Sequence, residues 1–247
     1  MSNNNHPAPV NKKKKVSFID SLLTLLYPER CLVCRAVLAG RPIVPLCPTC
    51  ERAFKSAGYV CPYCEQHGSA LSCKCLPGWY PIKSLYCLSF YESGWREMLH
   101  DFKYRQRRSL ARPLGLWMGR ELAGTSRIFF DMVVPVPLHK SRKRERGYNQ
   151  SELVARSIAG VMGVPCKNIL ERIVKTCSQT TISRRERCVN IRGAFKLTGE
   201  LTPGMNILLV DDIFSTGSTM NEAASVLKEE GATVHAAAVA YNRRSRD

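Results

Sequence analysis

An α/β domain with a parallel sheet covered by helices on both faces, preceded by a small cysteine-rich module, is the fold class that this sequence predicts. Three observations lead to it. Apolar runs of the buried-strand type at 132–138, 206–212 and 234–242 alternate with segments of helical spacing, the pattern of parallel strands joined by helical crossovers. Closely paired cysteines fill the stretch from Cys31 to Cys75, which is dense in turn residues and poor in long periodic runs. The chain has 247 residues, 45% of them hydrophobic, enough for one full core plus a smaller module.

The elements follow in order. Residues 1–15 are polar and rich in Asn and Lys, a composition that predicts a disordered basic tail. The module spans 16–80. It opens on "VSFIDSLLTLLY", where Ser17 followed by Asp20 marks a helix start. Asp20 interrupts the apolar run, which is too short to span a bilayer and has no small-residue cleavage site after it. A short amphipathic helix packed on the body fits, and peripheral membrane contact is the alternative. The main domain spans 84–247. "SLYCLSFYES" alternates as a strand does, "GWREMLHDFKYR" and "LARPLGLWMGREL" read as helices, and "MVVPVPL" is a buried strand. "SELVARSIAGVMG" is helical, 164–200 is polar and irregular, and "NILLVDD", "TMNEAASVLKEEG" and "VHAAAVAYN" close the chain as strand, helix and strand.

Lys and Arg outnumber Asp and Glu by 37 to 20, and the surplus lies upstream of residue 201. A balance of this size favours a polyanionic partner: nucleic acid, phosphorylated metabolites or an anionic membrane face.

Cys31 and Cys34 form one C-x2-C knuckle and Cys47 and Cys50 a second. Each knuckle aims two thiolates at one point, so together they supply the four sulfurs of a closed tetrahedral zinc site. A second set combines Cys61 and Cys64 with Cys73 and Cys75; the last pair is one residue short of a normal knuckle, and His67 is an alternative ligand. Closed sites leave no position for water, so the role expected is folding, not catalysis. Paired spacing of this kind belongs to a reducing compartment, hence a cytoplasmic protein.

"NILLVDDIFSTGSTMNEA" places Asp211 and Asp212 at the end of a hydrophobic strand, followed by Ser215, Thr216, Gly217, Ser218 and Thr219. A Walker B strand would need a partner G-x4-G-K-[ST] loop, which the sequence lacks. A phosphorylation receiver domain would need far more chain downstream. In the remaining reading, small side chains let backbone N–H groups surround a phosphate at a helix start. The carboxylates, one short turn away, accept hydrogen bonds from the hydroxyls of a sugar. The bland alternative is an N-capping pair, Thr219 and Glu222, after an ordinary strand.

A second anion-binding stretch follows the first long strand of the domain. "VVPVPLHKSRKRERGYNQ" breaks after its prolines into His139, Lys140, Arg142, Lys143, Arg144 and Arg146, a basic loop suited to a pyrophosphate. A solvated loop is the bland reading, and Tyr148 with the guanidiniums could equally stack on single-stranded bases. His139 and His235 are candidate bases, though a lone His is more often structural.

The acidic stretch resembles the phosphoribosyl pyrophosphate (PRPP) binding motif of type I phosphoribosyltransferases. "PVPLH", "RGYNQS" and "QTTISRRERCVNIRGAF" narrow the resemblance to the ComF competence family, with Tyr148 where Phe is usual and the C-x-C of Cys73 and Cys75 departing from the family's pair. The resemblance runs over nearly the whole chain. It implies a double zinc ribbon joined to a phosphoribosyltransferase-type domain, PRPP bound with magnesium, and Thr176, Gln179, Arg184, Arg187 and Asn190 in a segment that covers the ligand. It also implies contact with single-stranded DNA during natural transformation, at the inner face of the membrane, with a competence helicase or processing proteins as partners. Whether transfer chemistry occurs stays open, and no acceptor is legible. Two other classes stand beside this reading: a nucleotide-metabolism phosphoribosyltransferase, and a non-enzymatic nucleic-acid-binding adaptor. An ordinary salvage enzyme has no need of a zinc module or a net charge of +17.

Overall fold

β-branched and apolar residues in unbroken runs assemble the centre of a sheet, because strands buried on both faces expose no polar side chain. The computed structural model describes residues 28–40, 42, 44–61, 63, 64, 75, 77–126, 128–174 and 192–242. The N-terminal tail and the short helix expected after Ser17 lie outside the described residues.

Five strands form the main sheet: β1 (Ser56–Val60), β2 (Ser84–Phe90), β3 (Met132–Pro135), β6 (Asn206–Phe214) and β7 (Thr233–Tyr241). Their spatial order is β1-β2-β7-β6-β3. The last four run parallel, whereas β1 pairs antiparallel with β2, Gly58 opposite Cys87. The sheet is therefore mixed, and its edge strand comes from the cysteine-rich stretch. Alternate side chains of β6 enter opposite layers. Ile207 and Leu209 pack beneath α6 (Ser218–Glu229), on Met220, Ala223 and Leu227. Leu208 and Val210 pack beneath α2 (Ser93–Tyr104), α3 (Ala111–Thr125) and α5 (Gln150–Met162).

The register between helices α3 and α5 rests on two glycines one turn apart. A Cβ on Gly115 would sit 2.4 Å from the Ser157 Cβ and 2.7 Å from the Val154 carbonyl oxygen; one on Gly119 would meet Val161 at 2.8 Å. Backbone cannot yield as a flexible side chain can, so Gly115→Ala is expected to cost about 1–3 kcal/mol. A lower urea midpoint with unchanged slope would register it.

The basic stretch after β3 is a helix rather than a loop: α4 (Lys140–Arg146). Lys, Arg and Glu are good helix formers. His139 caps its start by accepting the Ser141 N–H, and Gly147 ends it in the left-handed conformation at φ 75°. The stretch 164–200, expected to be irregular, contains a short antiparallel ladder in which β4 (Leu170–Arg172) pairs with β5 (Phe195–Leu197). Strands of three residues carry too little alternation to be read from sequence. The remaining helix, α1 (Pro48–Arg52), belongs to the second knuckle.

The cysteine-rich stretch docks on α2 and α3 through Phe54, whose ring lies 5.6 Å from Trp95 and 4.5 Å from Trp117. Arg35, directly after Cys34, pairs with Asp101 on α2.

Candidate ligand site and metal centres

Parallel sheets bind ligands beyond the carboxyl ends of their strands, where the order of connections reverses. β3 and β6 are neighbours with such a junction between them, and the polar residues singled out in the sequence gather at their ends. Val136 continues the pairing beyond β3, its N–H donating to Val210 at 2.9 Å. Asn149 then clamps the turn: its Nδ2 donates to the Val136 carbonyl at 3.0 Å, and its Oδ1 accepts the Ser151 N–H as the cap of α5.

Asp211 and Asp212 follow Val210 on β6. The Asp211 Oδ1 accepts two hydrogen bonds, from Ser151 Oγ at 2.7 Å and from the Asp212 N–H at 2.8 Å. Burial, and then the adjacent Asp212 carboxylate, push the Asp211 carboxyl up to about 6. Asp212 is buried and meets Lys103 Nζ at 3.0 Å. Burial opposes the Lys103 charge, but Asp212 and Asp211 outweigh it and hold the ammonium above its ordinary pKa. The pair therefore has an internal counter-ion from α2. Sequence reasoning missed Lys103, Ser151 and Arg172. Arg172 is buried beside Phe195, its guanidinium lowered by burial and then by Arg142, with Asp211 acting in the opposite direction. Each reaches the site from a distant element, so only an excess of carboxylate without a neighbour hinted at such partners.

The hydroxyl loop runs from Ser215 into α6. Gly217 is the N-cap at φ 75°, and a Cβ there would meet the Phe214 ring at 2.7 Å, so Gly is required both for backbone and for space. Thr216 Oγ1 lies 3.0 Å from Ser218 Oγ, and Ser215, Thr216, Ser218 and Thr219 are half-buried. The first turn of α6 turns its N–H groups and its positive dipole end toward this loop. No capping box forms: Glu222 instead accepts the N–H of Gly193.

The basic residues divide. Lys140 pairs with Glu171 at 2.8 Å and Lys143 with Glu152 at 3.6 Å. Arg146 donates to Gln150 and to Tyr104 Oη, each at 3.4 Å, while Arg144 points to solvent. Arg142, half-buried, acts on Arg172. Tyr148 is not a stacking platform: it is 6% exposed and its hydroxyl donates to the Phe102 carbonyl. The candidate bases are engaged elsewhere as well. His139 caps α4, and His235 is buried with Nδ1 2.7 Å from Ser84 Oγ, where burial and then Lys83 depress it to about 4. Thr176, Gln179, Arg184, Arg187 and Asn190 lie outside the described residues.

The sulfurs of Cys31, Cys34, Cys47 and Cys50 lie within 4.8 Å of one another, Cys34 Sγ and Cys47 Sγ 3.6 Å apart. That spacing fits a tetrahedral ion whose sulfur bonds are about 2.3 Å long. Cys61, Cys64 and Cys75 form a second group, with Cys61 Sγ 3.4 Å from Cys75 Sγ. Cys73 and His67, its expected and alternative fourth ligands, lie outside the described residues. Among the described residues no helix is long and apolar enough to cross a membrane.

Comparison with known proteins gives a consistent result. The phosphoribosyl transferase domain family matches residues 132–247, and the α/β domain has that fold. DNA utilization protein YhgH of Salmonella typhimurium is 31% identical over 84% of this chain and 94% of its own length. Competence protein F of Haemophilus influenzae is 31% identical over 82% and 92%, and competence protein ComFC of Bacillus subtilis 27% identical over 80% and 83%.

Proposed function

The chain belongs to the family of competence protein F and DNA utilization protein YhgH, and from that premise we propose that it binds PRPP with magnesium, and single-stranded DNA, in the uptake or use of DNA. The observation that carries the PRPP reading is the acidic pair. Asp211 and Asp212 stand one short turn before a half-buried hydroxyl loop that opens a twelve-residue helix. A 5′-phosphate suits the loop and the start of α6, and the ribose 2′- and 3′-hydroxyls suit the two carboxylates. Contact with the pyrophosphate or with DNA falls to His139, Lys140, Arg142, Arg144 and Arg146. Zinc at the first cysteine group, and at the second with Cys73 or His67 as its fourth ligand, holds the N-terminal module together.

Lys103 sharpens the reading. A buried carboxylate with an ammonium at 3.0 Å is stable without ligand, and sugar hydroxyls must share Asp212 with that ammonium or displace it. Magnesium, arriving with the pyrophosphate, supplies charge neutralisation for the phosphates. Among the described residues His139 caps α4 through Nδ1 and His235 is held at Ser84, so the reading rests on binding alone. Cytoplasmic action at the inner membrane face, with helicase or processing partners, remains part of the proposal.

PRPP with magnesium at about one hundred times its Kd is expected to stabilise the protein by about 2.7 kcal/mol, raising the unfolding temperature by roughly 5–10 °C. Asp211→Ala and Asp212→Ala are expected to abolish the rise. An equal rise in wild type and both variants would place the ligand elsewhere; none in any of them would favour the nucleic-acid-binding adaptor.

A further inference from the structure

Next to Lys103, at its C-terminal end, α2 turns a different set of side chains to solvent. Tyr104 is 58% exposed. The His100 ring lies 4.9 Å from its centroid, and the Arg146 guanidinium also lies 4.9 Å from it. Beside them a cleft of about 810 Å³ opens between the first cysteine knuckle and α2. Arg35 enters it from the knuckle, and Arg96, His100 and Arg105 from the helix. The buried Asp101 carboxylate anchors three guanidiniums at once: Arg35, Arg105 at 3.3 Å and Arg107 at 3.3 Å. One carboxylate neutralises only one of them. With Arg96, and with Glu97 as the opposing acid, the four guanidiniums exceed the two carboxylates by two.

We infer that this cleft and the Tyr104 platform form the binding surface for a single strand of DNA, its phosphates along the Arg35, Arg96 and Arg105 rail and a base stacked at Tyr104 and the Arg146 plane. The inference deepens the DNA reading above and rests on it. The chemistry selects the partner. An isolated phosphate would use the guanidiniums and leave the exposed aromatic ring unexplained. A duplex keeps its bases stacked internally, so an aromatic and Arg platform adds affinity only when bases are free. An anionic membrane supplies charge without planes to stack. The surface also explains why Arg35 follows Cys34 directly: a closed metal site at the knuckle fixes where the rail's first cation stands. Since α2 carries both Tyr104 and Lys103, a strand on one face of the helix lies next to the residue that holds Asp212 on the other.

The test is the anisotropy of a fluorescein-labelled thymidine oligonucleotide, long enough to cover one site at about 16 nucleotides, titrated with the full zinc-loaded chain across a salt series. Tyr104→Ala is expected to weaken binding roughly 5- to 150-fold with little change in salt slope. Arg96→Ala with Arg105→Ala is expected to make the slope of log K against log salt shallower by about 1.4, since each phosphate contact to a single strand contributes about 0.7. Arg96 is exposed, so Arg96→Ala alone keeps the test sound if the double variant unfolds; its expected slope change is about 0.7. PRPP binding should stay unchanged in the Arg variants. Wild-type binding that survives every variant with affinity and slope intact would overturn this surface while leaving the DNA reading standing. No binding by the wild type would overturn both. Duplex bound as tightly as the single strand, or vesicles of phosphatidylglycerol whose binding is lost in the same variants, would reassign the cleft to another polyanion.

Discussion

At pH 7.5, Asp212→Asn is expected to lower the stability of the ligand-free protein, whereas Asp211→Asn, one residue away, is expected to raise it. Removing the Asp212 charge leaves the Lys103 ammonium, whose side chain is 20% exposed, without its nearest counter-ion. Breaking one side of a fully buried pair costs about 3–5 kcal/mol; with this residual exposure about 1–3 kcal/mol is expected. Asp211 behaves oppositely because its folded carboxyl is pushed up to about 6 by burial and by Asp212, above an unfolded value near 3.9. A group raised in this way contributes stability that is fully present below about pH 4 and is lost as pH rises through about 6. At pH 7.5 the folded protein therefore carries an unfavourable charge, and Asn relieves it by up to about 3 kcal/mol. The gain should shrink on acidification and vanish near pH 4. Thermal unfolding of the two variants at intervals from pH 4 to 8.5 checks this. Equal destabilisation of both at pH 7.5 would contradict the site electrostatics. Both variants are expected to lose PRPP binding, so Asp211→Asn would exchange function for stability, as strained ligand sites often do.

The second large effect concerns the first cysteine group. Cys31→Ser is expected to release one zinc per chain and to unfold the segment around the two knuckles, because apparent zinc-binding free energies of about 10–16 kcal/mol serve as folding free energy in such modules. The segment buries little apolar surface of its own: its cluster is Cys31, Leu38 and Cys47 with Val33, Leu46 and Cys50 against it. Detachment would uncover Trp95 and Trp117, which pack on Phe54, so tryptophan emission should shift to the red as zinc is lost. A variant that keeps its zinc and its emission maximum would show that the four sulfurs are not the ligand set. Chelation of the wild type should reproduce the spectral change, and added zinc should reverse it.

Much of this architecture was legible because the deciding signals were local. β6 could be read from four consecutive apolar residues, Ile207 to Val210, ending in two acids, and α6 from its spacing and the Gly that closes it. α4 could not, because seven nearly all-charged residues carry no apolar period; only the cap at His139 and the left-handed Gly147 mark it. The β4–β5 ladder was too short to alternate visibly. At the candidate site, Asp211, Asp212 and the hydroxyl loop are contiguous in sequence and could be grouped from it. Lys103, Ser151 and Arg172 arrive through tertiary packing and could not. Tyr148 and Tyr104 show the same limit: both sit among arginines in the sequence, yet the fold buries the first and exposes the second.

Calorimetric titration of PRPP with magnesium into the zinc-loaded chain at pH 7.5 reads ligand binding at the acidic pair itself. The predicted result is saturable heat with one ligand per chain, lost in both Asp211→Ala and Asp212→Ala and weakened as pH falls below 6, where Asp211 takes up a proton. Absence of heat from the natural protein, or heat indifferent to both substitutions, would contradict it.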